Sequence, residues 1–96
     1  DPMIAKLITY APTRLEAMRL LADGSEHCVC ELMRKLGATQ SRMSRHMQVL
    51  KQAGLVVDRR DAQWVRYRIS PGLSPPLRRL VDAALASEIA TEGAGA

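Results

Sequence analysis

Few side chains in this sequence could do chemistry, and two of them are near neighbours. Cys28 and Cys30, the only cysteines, are separated by Val29 in the run EHCVCELM, residues 26–33. Thiols at that spacing could chelate a thiophilic ion, take part in redox exchange, or pack as small hydrophobes. The two histidines, His27 and His46, show no acid/base pairing or nearby nucleophile, and no phosphate-binding glycine loop occurs. An enzyme is therefore not expected. A tetrahedral zinc site wants four ligands, and two thiols with two separated histidines supply it poorly.

The second chemically marked group is basic. The formal net charge is +4, unevenly spread. Residues 34–68 hold nine Lys/Arg against Asp58 and Asp61, a net +7, while the remainder, with five bases and eight acids, carries −3. A basic middle between acidic ends suits a polyanion-binding surface, although a solvated charged face gives the same count. No apolar run approaches the roughly 18 residues of a membrane span, and nothing reads as a signal peptide. A cytoplasmic protein with reduced thiols is expected.

These groups need elements to hold them. Ninety-six residues suggest one domain, residues 1–96. MIAKLITYA is a short apolar segment with Ile4, Leu7 and Ile8 at helical spacing. PTRLEAMRLLADG reads as a helix, with Pro12 in its first turn, Leu15, Met18, Leu21 and Ala22 on one face, and Asp23-Gly24 as the stop. In SEHCVCELMRKLG, Ser25 is the expected cap and Gly37 the end. ATQSRMSRHMQVLKQAG starts a further helix from Thr39, with Met43, Met47 and Leu50 inward and Gly54 closing it. LVVDRR and WVRYRIS, joined by DAQ, alternate as a β-hairpin, and PGLSPP leads to a last helix, LRRLVDAALASEIA.

The predicted order is four helices, a hairpin and a C-terminal helix. This is an α+β, mostly α, winged helix-turn-helix, with the helix-turn-helix over about 29–53 and the wing over 55–70. On that fold the residues expected at DNA are Thr39, Gln40, Ser41, Arg42, Ser44, Arg45 and His46 of the recognition helix. The wing adds Arg59, Arg60, Gln63 and Arg66. Gln suits adenine, Arg suits guanine or phosphate, and a wing suits the backbone or minor groove. Trp64 is as well explained by packing as by DNA contact. Ile4, Leu7 and Ile8, with Leu77, Leu80, Val81, Ala84 and Leu85, offer more apolar helix surface than one short chain needs, and a homodimer is expected through them. Its target would be double-stranded operator DNA with two half-sites about one helical turn apart.

Much of the chain, from PTRLEAMRLLADG through CVCELMRKLG and TQSRMSRHMQVLKQAGLVVDRRDAQWVRYRI, resembles the ArsR/SmtB repressors. SRHMQVLKQAGLV, residues 44–56, carries the family likeness, and CVCEL, residues 28–32, looks like the box of its arsenic-responsive branch. The resemblance implies a repressor that leaves its operator when trivalent arsenic or antimony binds Cys28 and Cys30. Three departures accompany it. Met33 stands where that branch often has a third cysteine, residues 1–24 contain no Cys or His, and the last helix has no histidine for the family's other zinc site. Hydroxide, a small thiol such as glutathione, or the methyl group of an organoarsenical would complete the arsenic valences.

On an ideal helix, residues i and i+2 lie about 200° apart, whereas on an extended segment they share a side. Chelation is therefore expected to unwind the first turn of the helix that braces the recognition helix. A thiol-redox or reactive-sulfur sensor is the rival reading, weakened by the strain expected of an i to i+2 disulfide. A winged-helix module for protein contact is another.

Overall fold

The structure, a computed structural model, describes Lys6, Ile8 and residues 11–95, with side chains through Ala86. The first expected helix thus lies mostly outside the described residues; Lys6 and Ile8 within it are helical. Helix α1 spans Pro12–Leu21, with proline in the first turn, where its missing N–H costs no hydrogen bond. Leu15, Ala17, Met18 and Leu21 are its buried face. Ala22, expected on that face, is the exposed C-cap, because the helical period ends at Leu21.

The next element was not anticipated. His27–Cys28 form a short strand, β1, antiparallel to the second wing strand. Helix α2, Val29–Leu36, starts only after it. The expected cap Ser25 instead donates from its backbone N–H and hydroxyl to Asp23 Oδ1, at 2.9 and 2.8 Å. Strand pairing holds Cys28 extended, at φ −67° and ψ 143°, and makes it the N-cap. Gly37 closes α2 in the left-handed region, φ 66°, where a β-carbon would be strained, and its N–H donates to the Met33 carbonyl.

Helix α3, Gln40–Gln52, follows, and Thr39 caps it as expected, with Oγ1 accepting from the Arg42 N–H at 3.3 Å. The wing strands are β2, Val56–Asp61, and β3, Trp64–Ile69, paired from Val56 opposite Ile69 to Asp61 opposite Trp64. The sheet order is β1-β3-β2. Helix α4, Pro75–Gly95, begins where Ser74 Oγ accepts from the Leu77 N–H at 3.4 Å.

The core joins all of these. Met18 and Leu21 of α1 meet Leu32 of α2, Met43, Met47 and Leu50 of α3, Leu55, Val56, Tyr67, and Val81 of α4. Among the described residues, helices α1 to α4 and a three-stranded antiparallel sheet, with the α2–α3 unit followed by a hairpin, make a winged helix-turn-helix. Trp64 is half-buried against this core, which favours its packing role.

Candidate functional site

The thiol corner is built by the junction of β1 and α2. Cys28 is 7% exposed and Cys30 half-buried. Their Cα atoms are 5.2 Å apart and the two sulfurs are joined directly. The expectation that they point to opposite sides fails, because only Cys30 is inside the helix while Cys28 keeps a strand conformation. No turn needs to unwind for one ligand to meet both. The Cys30 N–H also donates to Cys28 Sγ at 3.3 Å.

Acids that sequence reasoning passed over surround this corner. His27 Nδ1 lies 3.0 Å from Glu31 Oε2, and its Nε2 lies 3.0 and 3.1 Å from the two Asp23 oxygens. Burial pulls the His27 pKa down, but the hydrogen bonds it donates to the Asp23 and Glu31 carboxylates outweigh it and the net shift is upward. Asp23, bonded by His27 and by Ser25, falls to about 2. Glu31 is lowered by the His27 bond and then by Lys35, whose Nζ is 3.1 Å away. Both His27 nitrogens are thus engaged by carboxylates, so His27 is not placed to be a third ligand. Among the described residues no group of three or more His, Cys, Asp or Glu could hold a metal ion. Reduced to the dithiol by a cellular thiol, the pair would present two sulfurs on one side, which fits a thiophilic trivalent metalloid with one valence filled from solution.

The basic face lies on α3 and the wing. Thr39, Gln40, Ser41, Arg42 and Arg45 are exposed, and Ser44 and His46 are half-buried. Met43, Met47 and Leu50 turn inward and lock this orientation. Arg14 of α1 donates from Nε to His46 Nδ1 at 3.1 Å, so a neutral His46 carries its proton on Nε2. Burial lowers the His46 pKa, and the charges of Arg14, Arg42 and Arg45 lower it further. In the wing, Arg60 and Gln63 are exposed. Arg66 Nε pairs with Asp61 at 2.7 Å, and Arg59 reaches across the sheet to Glu26.

The family model for bacterial regulatory proteins of the arsR family matches residues 11–57. The chain is 39% identical over 72 residues to the arsenical resistance operon repressor of Escherichia coli K12, covering 75% of this chain and 62% of that one. It is 48% identical over 61 residues to the arsenic resistance transcriptional regulator ArsR2 of Pseudomonas putida KT2440, covering 64% and 53%. The solution structure of the homodimeric winged helix-turn-helix DNA-binding domain Mb0332 of Mycobacterium bovis superposes with a TM-score of 0.68. That match is at 30% identity and covers 94% of this chain and 77% of that one. The chain belongs to the arsR family.

The chain spans less than two thirds of the length of either curated arsR relative. The arsR match includes α1, the thiol corner, α2 and α3, and ends as β2 begins. The expected dimer residues divide. Ile8, Val81 and Ala84 are buried in this chain's own core, Leu77 and Leu85 are half-buried against it, and Leu80 is half-buried. Ile4 and Leu7 lie outside the described residues. Arg14, Asp23, Glu26 and Glu31 were missed. Only the i, i+4 spacing of Asp23, His27 and Glu31 could have hinted at any of them.

Proposed function

We propose that this chain is a transcriptional repressor, acting in the cytoplasm as a homodimeric single-domain unit on double-stranded operator DNA. Trivalent arsenic, or antimony, bound by Cys28 and Cys30 releases it. Arg42 and Arg45 with Gln40, Ser41 and Ser44 read the major groove, the His46 Nε2–H serves a phosphate, and Arg59, Arg60, Gln63 and Arg66 line the flank. Leu77, Leu80 and Leu85 meet a second copy, together with Ile4 and Leu7.

One observation carries the reading: both sulfurs meet at a residue that is at once a strand partner of the wing and the cap of α2. Cys28 pairs with Arg66 of β3, and α2 packs through Leu32 onto the inner face of α3. A metalloid that sets a new sulfur–sulfur separation therefore moves both DNA-facing elements. Release requires only that arsenic bind the DNA-incompetent arrangement better. The relatives named for arsenical resistance support the inducer class.

The test is fluorescence anisotropy on a duplex from the gene's own promoter, under reducing conditions, with and without sodium arsenite. Arsenite is expected to weaken binding by roughly 5–150-fold, and the Cys28→Ser/Cys30→Ser variant should stay bound. If arsenite leaves the wild type bound, the inducer assignment is wrong. A second reading has one observation behind it. The direct sulfur–sulfur join is the observation behind a dithiol–disulfide redox response. Release by an oxidant, reversed by dithiothreitol and without effect from arsenite, would select it.

A further inference from the structure

The longest-reaching side-chain ion pair tied to the thiol corner uses neither thiol. Glu26 lies two residues before Cys28, and Arg59 lies in β2, two strands away. Arg59 Nε donates to Glu26 Oε2 at 2.9 Å and Oε1 at 3.2 Å, and Nη2 donates to Oε1 at 2.7 Å. This is a forked, charge-assisted contact that fixes the plane of the guanidinium, not merely its distance. Three strand positions lie beneath it in one line, Cys28 opposite Arg66 and Arg66 opposite Arg59.

The fork occupies one edge of the guanidinium. Arg59 has five N–H donors, the contacts to Glu26 use Nε and Nη2, and the residue as a whole is exposed, which leaves Nη1 outside the fork. Among the described residues Arg60, beside it, has no such brace, and its direction is set by its own rotamers. We infer that Glu26 is a positioning residue, holding Arg59 in the orientation in which its open edge meets a DNA phosphate, and that the metalloid releases DNA partly by pulling Glu26 off Arg59. The inference rests on the repressor reading above and adds the connection from thiols to wing. Both ends of the connection are short. A ligand that repositions Cys28 acts on a carboxylate two residues upstream.

The pair is solvent-exposed, so little of the fold's stability rests on it and variants should fold. The test uses the full chain, a labelled promoter duplex and sodium arsenite, with Glu26→Gln, Arg59→Lys and the double variant. Arsenic binding is followed separately by the near-ultraviolet arsenic–thiolate absorption. Without arsenite, Glu26→Gln should weaken operator binding about threefold or more, although it removes a negative charge from a DNA-facing surface. With arsenite, the ratio of operator Kd values with and without ligand should shrink about fivefold or more relative to wild type, at unchanged arsenic stoichiometry. Arg59→Lys keeps the charge, loses the fork and should match it, and the double variant should be no worse than either single one.

Tighter operator binding by Glu26→Gln, an unchanged arsenite ratio, or additive losses in the double variant would each overturn the inference. If wild type binds the operator but ignores arsenite, the inducer assignment and the release step fail together. The arsenite-free comparison of Glu26→Gln with wild type still decides whether Glu26 positions Arg59.

Discussion

Both helices of the helix-turn-helix begin in the same way, from an extended residue whose side chain accepts a backbone N–H, yet their surroundings are opposite. At α2 the cap is Cys28, and the side chains around it are Asp23, Glu26 and Glu31, with His27 held between carboxylates and its pKa raised. At α3 the cap is Thr39, and the neighbours are Arg42, Arg45 and Arg14, with His46 lowered. One helix start is arranged around soft sulfur and acid, the other around base. Helix capping supplies position only, and the neighbours decide what the position can meet.

The largest effect should come from what the two helices share. Leu32 of α2 is fully buried against the core that also holds Met43, Met47 and Leu50 of α3. Leu32→Ala is expected to cost about 2–5 kcal/mol in urea unfolding and to impair DNA binding and arsenite response together. A variant that loses one function and keeps the other at full stability would show that the helices do not communicate through this contact.

The two starts should separate under the next substitution. Arg42→Ala is expected to weaken operator binding by about 1–3 kcal/mol and, if the contact is to phosphate, to reduce the salt slope by about one. Arsenic–thiolate absorption should be untouched. Arg45→Ala should behave alike. Unchanged operator affinity in both would move the DNA-reading face elsewhere.

How far these two regions were legible in the sequence differs for the same physical reason. The α3 start was readable because everything that defines it is local: a threonine cap, an apolar stripe at helical spacing and bases on the opposite face. Gly37 and the hairpin were readable likewise. The α2 start was not. Ser25 looked like the cap by type, but the pairing of His27 with Tyr67 and Cys28 with Arg66, about forty residues away, keeps the chain extended past it. That non-local pairing also turned the thiol geometry from opposed to convergent. The Glu26–Arg59 and Arg14–His46 contacts, 33 and 32 residues apart, are products of tertiary approach with no local pattern to announce them.

Substituting the caps breaks the symmetry between the two starts directly. Thr39→Ala removes an oxygen acceptor that has no replacement and should cost about 1 kcal/mol. Cys28→Ser exchanges a weak sulfur acceptor for one of the preferred cap residues. Cys28 is buried, so under reducing conditions the exchange should cost about 1 kcal/mol in urea unfolding, while abolishing the arsenite response. A large loss of stability in Cys28→Ser would mean that the sulfur acts mainly as core, and would weaken its assignment as ligand.

The smallest effect tests the electrostatic half of the comparison. Burial and the facing charges of Arg14, Arg42 and Arg45 place the folded-state pKa of His46 below its ordinary value. The unfolded chain then binds a proton at a pH where the folded chain does not. The stabilisation from neutral His46 is therefore fully present above the ordinary histidine pKa and is lost as pH falls through the ordinary value toward the depressed one. Protonation of Nδ1 also removes the acceptor used by Arg14. The stability difference between wild type and His46→Gln should shrink as pH drops from about 8 to about 5. In an NMR titration of the free protein, the His46 ring should titrate below the ordinary value and the His27 ring above it. Should His46 titrate at or above the ordinary value, Arg14 does not hold its Nδ1, and the basic start of α3 lacks the field that distinguishes it from the start of α2.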